Sequence, residues 1–113
     1  MIGPQLELES FETTPVHRLV LRGEIDVKTA PRLESALSDT PAATVLVDLS
    51  DVGFIDSTGL RVLAMGRARF EADDRQLVVC APDDSVVLRT MRLAGLGGDF
   101  KIVTDPAELT EAE

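Results

Sequence analysis

The chain reads as a single α/β domain whose sheet is mixed and mostly parallel, with an antiparallel N-terminal edge and about four helices. Two strand-like segments near the start are separated by a short polar stretch that contains Pro15. Two later runs, 44–49 and 76–80, are almost continuously apolar and rich in β-branched residues, as in strands covered on both faces. The stretches after these segments carry apolar residues at spacings of three and four, the period of a helix. Strands that alternate with helices imply parallel crossovers, which are right-handed almost without exception, so an α/β sandwich with an antiparallel edge is expected.

Residues 5–9 alternate polar and apolar (Gln5, Leu6, Glu7, Leu8, Glu9), which suits a strand with one wet face near a sheet edge. A turn is expected over 10–15, where Thr13, Thr14 and Pro15 cluster, and a second strand over 16–21 completes a hairpin. After Gly23 the period changes. Thr29 can cap a helix, Pro31 suits its first turn, and Ala30, Leu33 and Leu37 form its inner stripe, with the end before Pro41. The buried strand 44–49 leads into a loop over 51–57. A helix over 58–72 follows, capped by Asp56 or Ser57, with Leu60, Leu63, Ala64 and Phe70 turned inward. A third helix comes after strand 76–80, capped by Asp83, Asp84 or Ser85, packed through Val87, Leu88 and Met91, and closed by Gly95, Gly97 and Gly98. Lys101, Ile102 and Val103 make a short last strand. Asp105, Pro106 and Glu108 then take the cap, first and third positions of a short terminal helix.

With 113 residues and 44% apolar content, the chain is one domain, 1–113, with room for a proper core. Twenty acidic against eleven basic residues give a net charge of -9. Such a surface repels phosphate backbones and anionic lipid heads, so neither nucleic acid nor a membrane is an expected partner. Residues 1–5 are neither a charged leader nor an apolar signal core, and no apolar run approaches the roughly 20 residues of a membrane span. A soluble, cytoplasmic domain is expected. The single cysteine, Cys80, lies in an apolar run and reads as a buried core thiol.

The most informative stretch, 45–63, ends an apolar strand and starts a helix at Ser57. The first N–H groups of a helix have no intrahelical partner, and the aligned peptide dipoles leave partial positive charge there. Ser57 therefore stands where a phosphate is accommodated. A serine hydrolase fails on the residues. The nucleophile elbow needs glycine two positions before and two after its serine, and Ile55 and Gly59 occupy those places. The base would have to be His17, the chain's one histidine, which reads as a surface residue of the second strand. Nucleotide binding lacks both the G-x-x-x-x-G-K-S/T loop and the G-x-G-x-x-G turn, since Gly95, Gly97 and Gly98 follow a helix rather than precede one. Asp48, Asp51 and Asp56 are acids without the spacing of a metal ligand set. No catalytic residue, metal or cofactor is assigned, and the chain is read as a non-enzyme.

The segments Gly23-Glu24-Ile25-Asp26, Thr29-Ala30-Pro31-Arg32-Leu33, Asp48-Leu49-Ser50 and Phe54-Ile55-Asp56-Ser57-Thr58-Gly59-Leu60 resemble, in order and over nearly the whole chain, the bacterial anti-sigma factor antagonists of the STAS domain family. The resemblance implies a regulator without catalysis. In that family the unphosphorylated antagonist binds an anti-sigma factor, usually an ATP-dependent serine kinase, and so frees the sigma factor for transcription. The kinase phosphorylates the serine that matches Ser57, which breaks the complex, and a metal-dependent serine phosphatase restores it. Asp26 matches a loop aspartate that the family places beside this serine at the partner surface. Arg61 stands where some members have a small residue. The resemblance thus implies phosphorylation at Ser57 and a partner surface drawn from Asp26, Asp56, Ser57, Thr58, Gly59, Leu60 and Arg61. The runner-up is a non-catalytic STAS scaffold or sensor module in a larger signalling assembly.

Phosphoserine adds about -1.5 to -2 charge at neutral pH. Beside Asp26 and Asp56 it would present a partner shaped for a neutral hydroxyl with a bulky dianion in an acidic patch, which is expensive to desolvate. The helix amino end, at Gly59 and Leu60, is expected to solvate the phosphate so that the fold survives modification. Plainer roles exist for each residue. Ser57 can be a helix cap worth about 1 kcal/mol, Gly59 a packing glycine, Leu60 core, Thr58 a neighbouring hydroxyl open to the same modification, and Asp26 the closure of a loop.

Overall fold

Leu6–Thr13 (β1) and Val16–Ile25 (β2) pair antiparallel, from Leu6 against Gly23 to Thr13 against Val16. The computed structural model describes residues 5–13 and 16–111. The expected turn residues Thr14 and Pro15 lie outside the described residues, as do residues 1–4 and 112–113. The hairpin is longer than its polar pattern suggests. Ser10 and Phe11, expected in a turn, are strand residues opposite Leu19 and Arg18. His17 gives a reason: it is 7% exposed rather than on the surface, with Nε2 2.5 Å from the Ser10 hydroxyl and Nδ1 3.2 Å from the Thr40 hydroxyl. A buried imidazole needs partners for both nitrogens, and the extended strand supplies one of them.

The chain continues through Ala30–Asp39 (α1), Thr44–Ile55 (β3), Ser57–Ala72 (α2), Gln76–Cys80 (β4), Val86–Leu93 (α3), Lys101–Val103 (β5) and Pro106–Glu111 (α4). The sheet order is β1-β2-β3-β4-β5, with every pair after the first parallel. Each crossover, through α1, α2 and α3 in turn, advances one strand in the same direction. Right-handed connections then place all three helices on one face. The architecture is therefore a two-layer α/β sandwich with an antiparallel edge, as expected. Leu33 and Leu37 of α1, Leu63 and Phe70 of α2, and Leu88 and Met91 of α3 share one core with Leu19, Leu21, Val45, Val47 and Val79 of the sheet. The opposite face holds a smaller cluster of Val16, Leu46, Val78, Cys80 and Val103. Ala64, expected inward, is only half-buried. The inner stripe of α2 passes through Gly66 instead, where a Cβ would stand 3.0 Å from Leu37.

The longest departure concerns β3. Its pairing with β2 does not stop at Leu49 but resumes after two register shifts and runs on to Ile25 opposite Ile55. Residues 51–55, expected in a loop, are strand. Gly23 allows the irregularity on the β2 side: its φ is +110°, and a Cβ would collide with the Gln5 carbonyl oxygen.

The C-terminal half follows its local signals. The Ser85 hydroxyl accepts the amide of Leu88 at 3.1 Å and caps α3, while Gly95, at φ +79°, closes it. Glu108 reaches back to the amides of Thr104 and Asp105 at 3.2 and 3.1 Å, the reciprocal half of a capping box on α4. No described helix is long and apolar enough to cross a membrane.

Candidate functional site

β4 accompanies β3 only from Thr44 to Asp48, whereas β2 accompanies it as far as Ile55. The paired ends of β2 and β3 thus run past β4 and stop together. The amide of Asp56 donates to the carbonyl of Ile25 at 3.1 Å, so the two connections that follow, into α1 and into α2, start side by side.

The first connection is held by Asp26. Its Oδ1 accepts the amides of Lys28 at 2.9 Å and Thr29 at 3.0 Å, and its carbonyl accepts the amide of Ala30 at 2.8 Å. Thr29 occupies the cap position of α1 but does not cap it, contrary to expectation. Its hydroxyl turns back to donate to the Glu24 carbonyl at 2.8 Å and accepts the Asp26 amide at 2.9 Å. A Thr29 cap would serve the next amides along, but Pro31 has none and that of Arg32 donates to the Thr29 carbonyl at 3.0 Å. The bond from the Thr29 amide, opposed by partial burial and helped by the Lys28 amide, holds the Asp26 carboxyl below its usual range.

The second connection is held by Asp56. Its backbone is extended, its Oδ1 accepts the amide of Gly59 at 3.1 Å, and its carbonyl accepts the amide of Leu60 at 3.0 Å. Asp56 is the cap, and Ser57 is the first residue of α2. The expectation that the amides of Gly59 and Leu60 face a phosphate is therefore corrected, because Asp56 engages both. The first two amides of the helix, those of Ser57 and Thr58, are the ones α2 leaves without an intrahelical acceptor.

The side chains divide between surface and core. Ser57 and Arg61 are exposed; Asp26, Asp56 and Thr58 are half-buried. Gly59 and Leu60 turn inward. A Cβ on Gly59 would stand 2.7 Å from both Ile25 and Ile55, and Leu60 is 9% exposed. Three exposed apolar side chains escaped the sequence reading: Val27 at 66%, Phe54 at 45% and Met65 at 48%. Val27 adjoins Asp26, Phe54 precedes the Asp56 corner, and Met65 continues the Ser57 and Arg61 row along α2 at steps of four. The available signal was weak: Val27 is an apolar residue between Asp26 and Lys28 in a segment with no period.

The other candidates lie elsewhere. His17 pairs at the opposite end of β2 from Ile25, eight residues away, which is roughly 26 Å of strand from the Ser57 corner. His17 therefore cannot serve Ser57 as a base. Asp48 is paired with Arg18 at 2.9 Å and with the Ser50 amide at 3.0 Å, and Asp51 lies 3.6 Å from Arg22. With Asp56 engaged as a cap, the three acids do not converge, and no group of three potential metal-binding side chains occurs among the described residues. Cys80 is buried, and burial first, then the nearby Asp48 charge, push its thiol pKa up.

The family model described as "Mlab, STAS domain" matches residues 10–104. The anti-sigma-F factor antagonist RsfB of Mycobacterium tuberculosis is 38% identical over 88 residues, 74% of this chain and 70% of that protein. The anti-sigma-B factor antagonist of Staphylococcus aureus is 27% identical over 94 residues, 80% of this chain and 86% of that one. A crystal structure of an anti-sigma factor antagonist from Mycobacterium paratuberculosis superposes with a TM-score of 0.82 at 28% identity, covering 96% of this chain and 93% of that chain.

Proposed function

Because the chain belongs to the STAS domain family, we propose that it is a cytoplasmic anti-sigma factor antagonist, active when Ser57 is unmodified and switched off when Ser57 is phosphorylated. Its partner is an anti-sigma factor that is also a serine kinase, and a serine phosphatase reverses the modification. Binding sequesters the anti-sigma factor and so promotes transcription by the sigma factor. The antagonists among its relatives support the first part of this reading. The observation that carries the switch is the corner at Ser57: an exposed hydroxyl on the first residue of α2, beside the Asp26 connection that the Asp56–Ile25 bond brings alongside.

In the switching step the γ-phosphoryl group of ATP passes to Ser57 Oγ. A new P–Oγ bond replaces the P–O bond to ADP, and the hydroxyl proton is released. The amides of Ser57 and Thr58 and the positive end of α2 receive the phosphate, so the antagonist keeps its fold. A partner packed on the neutral corner meets instead a dianion next to Asp26 and Asp56, and the interface loses affinity. The partner surface comprises Ser57, Arg61 and the exposed parts of Asp26, Asp56 and Thr58, extended by Val27 and Phe54. Gly59 and Leu60 act beneath it, by seating α2 on the sheet.

The reading is tested by incubating the protein with a candidate anti-sigma kinase and ATP and mapping the label by phosphopeptide mass spectrometry. Label at Ser57, with loss of the complex, is expected. Label elsewhere, or a complex that persists after Ser57 is labelled, overturns it in favour of a scaffold or sensor module.

A further inference from the structure

Arg61 follows Ser57 by four residues on α2, the spacing that sets two side chains on adjacent turns of one helix face. Both are exposed. The neighbouring arginines of the helix are engaged: Arg67 pairs with Glu71 at 2.8 Å and lies over the Phe100 ring, and Arg69 donates to the Ser38 hydroxyl at 3.2 Å. The Arg61 side chain makes no hydrogen bond, ion pair or ring contact with any described residue. It is a guanidinium held beside the modification site with nothing to hold in the unmodified protein.

We infer that Arg61 is the internal counter-ion of phosphorylated Ser57, closing over the phosphate when it is added and thereby leaving the partner surface. The inference rests on the proposed modification of Ser57. An anion placed four residues before a cation is the favourable order on a helix, and a planar guanidinium matches phosphate oxygens two at a time. The carboxylates at this corner cannot compete for Arg61 as well as a phosphate, since Asp26 and Asp56 are spent on backbone amides. Lys28 is the other cation of the corner, but it belongs to the opposite connection. Phosphorylation then changes the surface twice: a dianion is added at Ser57, and the exposed cation at Arg61 is drawn back from the partner surface. Both changes act against the complex, while the pairing secures the first turns of α2.

The test uses full-length protein with phosphoserine installed at position 57 by chemical ligation, so no kinase is required. The second phosphate ionisation, near pH 6, is followed by phosphorus NMR in the parent protein and in Arg61→Gln, Arg61→Lys and Lys28→Gln. A nearby cation favours the dianion, so Arg61→Gln raises the midpoint by about 0.2–0.4 pH unit. Arg61→Lys restores part of the difference, and Lys28→Gln moves the midpoint less than Arg61→Gln does. Coincident titrations for the parent and Arg61→Gln, or a larger shift in Lys28→Gln, overturn the pairing. A kinase that labels another residue overturns the proposed function instead and leaves this titration unaffected.

Discussion

The amide of Asp56 donates to the carbonyl of Ile25 at 3.1 Å, tying the end of β3 to the end of β2. Through this bond two segments that are thirty residues apart in sequence become one surface. Each then uses an aspartate to anchor its own backbone, Asp26 on Lys28 and Thr29, and Asp56 on Gly59. Both carboxylates thus have structural duties, and Ser57, the residue after Asp56, keeps an exposed hydroxyl.

That division of labour separates stability from switching. Because Asp56 is the cap, Asp56→Ala is expected to cost about 1 kcal/mol, a fall of several degrees in Tm. Ser57→Ala replaces an exposed first-turn residue and is expected to stay within about 0.5 kcal/mol of the parent. Thermal melts followed by circular dichroism compare the two, and equal losses would return the cap to Ser57.

Binding should show the opposite ranking. Ser57→Ala is expected to hold the anti-sigma factor whether or not ATP is present, while Ser57→Glu, with a fixed charge at the same corner, binds weakly. Isothermal titration with each variant measures the difference. Tight binding by Ser57→Glu would mean that charge at this position is not what the partner rejects.

Gly59 should behave as a packing residue. A Cβ would lie 2.7 Å from Ile25 Cγ2 and Ile55 Cγ1, both branch atoms close to the strand backbone that cannot swing away. Alanine raises helix propensity by about 1 kcal/mol, yet overpacking of this kind costs about 1–3 kcal/mol. Gly59→Ala is therefore expected to lower the urea midpoint, and a stabilised variant would show that α2 can lift from the sheet at no cost.

Acid sensitivity should trace in part to Asp48, which is 6% exposed and bonded to Arg18 and Ser50. Burial pushes its pKa up, but the bonds from Ser50 and Arg18 outweigh that and hold it below the usual carboxylate range. A depressed folded pKa contributes stability that is complete above the unfolded value, about 3.9, and is lost as pH falls below it. Urea midpoints should change little from pH 7 to about pH 5 and fall steeply below about pH 4. Asp48→Asn is expected to be less stable at pH 7 but to lose less on acidification, and an unchanged acid slope would assign the effect to other carboxylates.

Much of this was legible locally. Apolar period gave away α1, α3 and the buried strands, and Ser85, Gly95 and the Asp105, Pro106 and Glu108 set marked helix ends through bonds that span a few residues. The segments that resemble the STAS family identified the class and pointed to Ser57. What the pattern concealed were interactions across the chain. Residues 51–55, which hold the turn-type residues Asp51 and Gly53, are strand because β2 runs alongside them. His17 looks polar enough for the surface yet is buried because Ser10 and Thr40 meet both its nitrogens.

The sequence by itself determined that an α/β domain would present a hydroxyl where a strand gives way to a helix, since both follow from side-chain period and from residues adjacent in the chain. Only the tertiary structure decided between Asp56 and Ser57 as the cap, set Gly59 directly against Ile25 and Ile55, and left the Arg61 side chain without a partner among the described residues. Those outcomes depend on where α2 rests against Ile25 and Ile55. The steric fit of a helix on two strands is a property of the packed layers, and no local pattern encodes it.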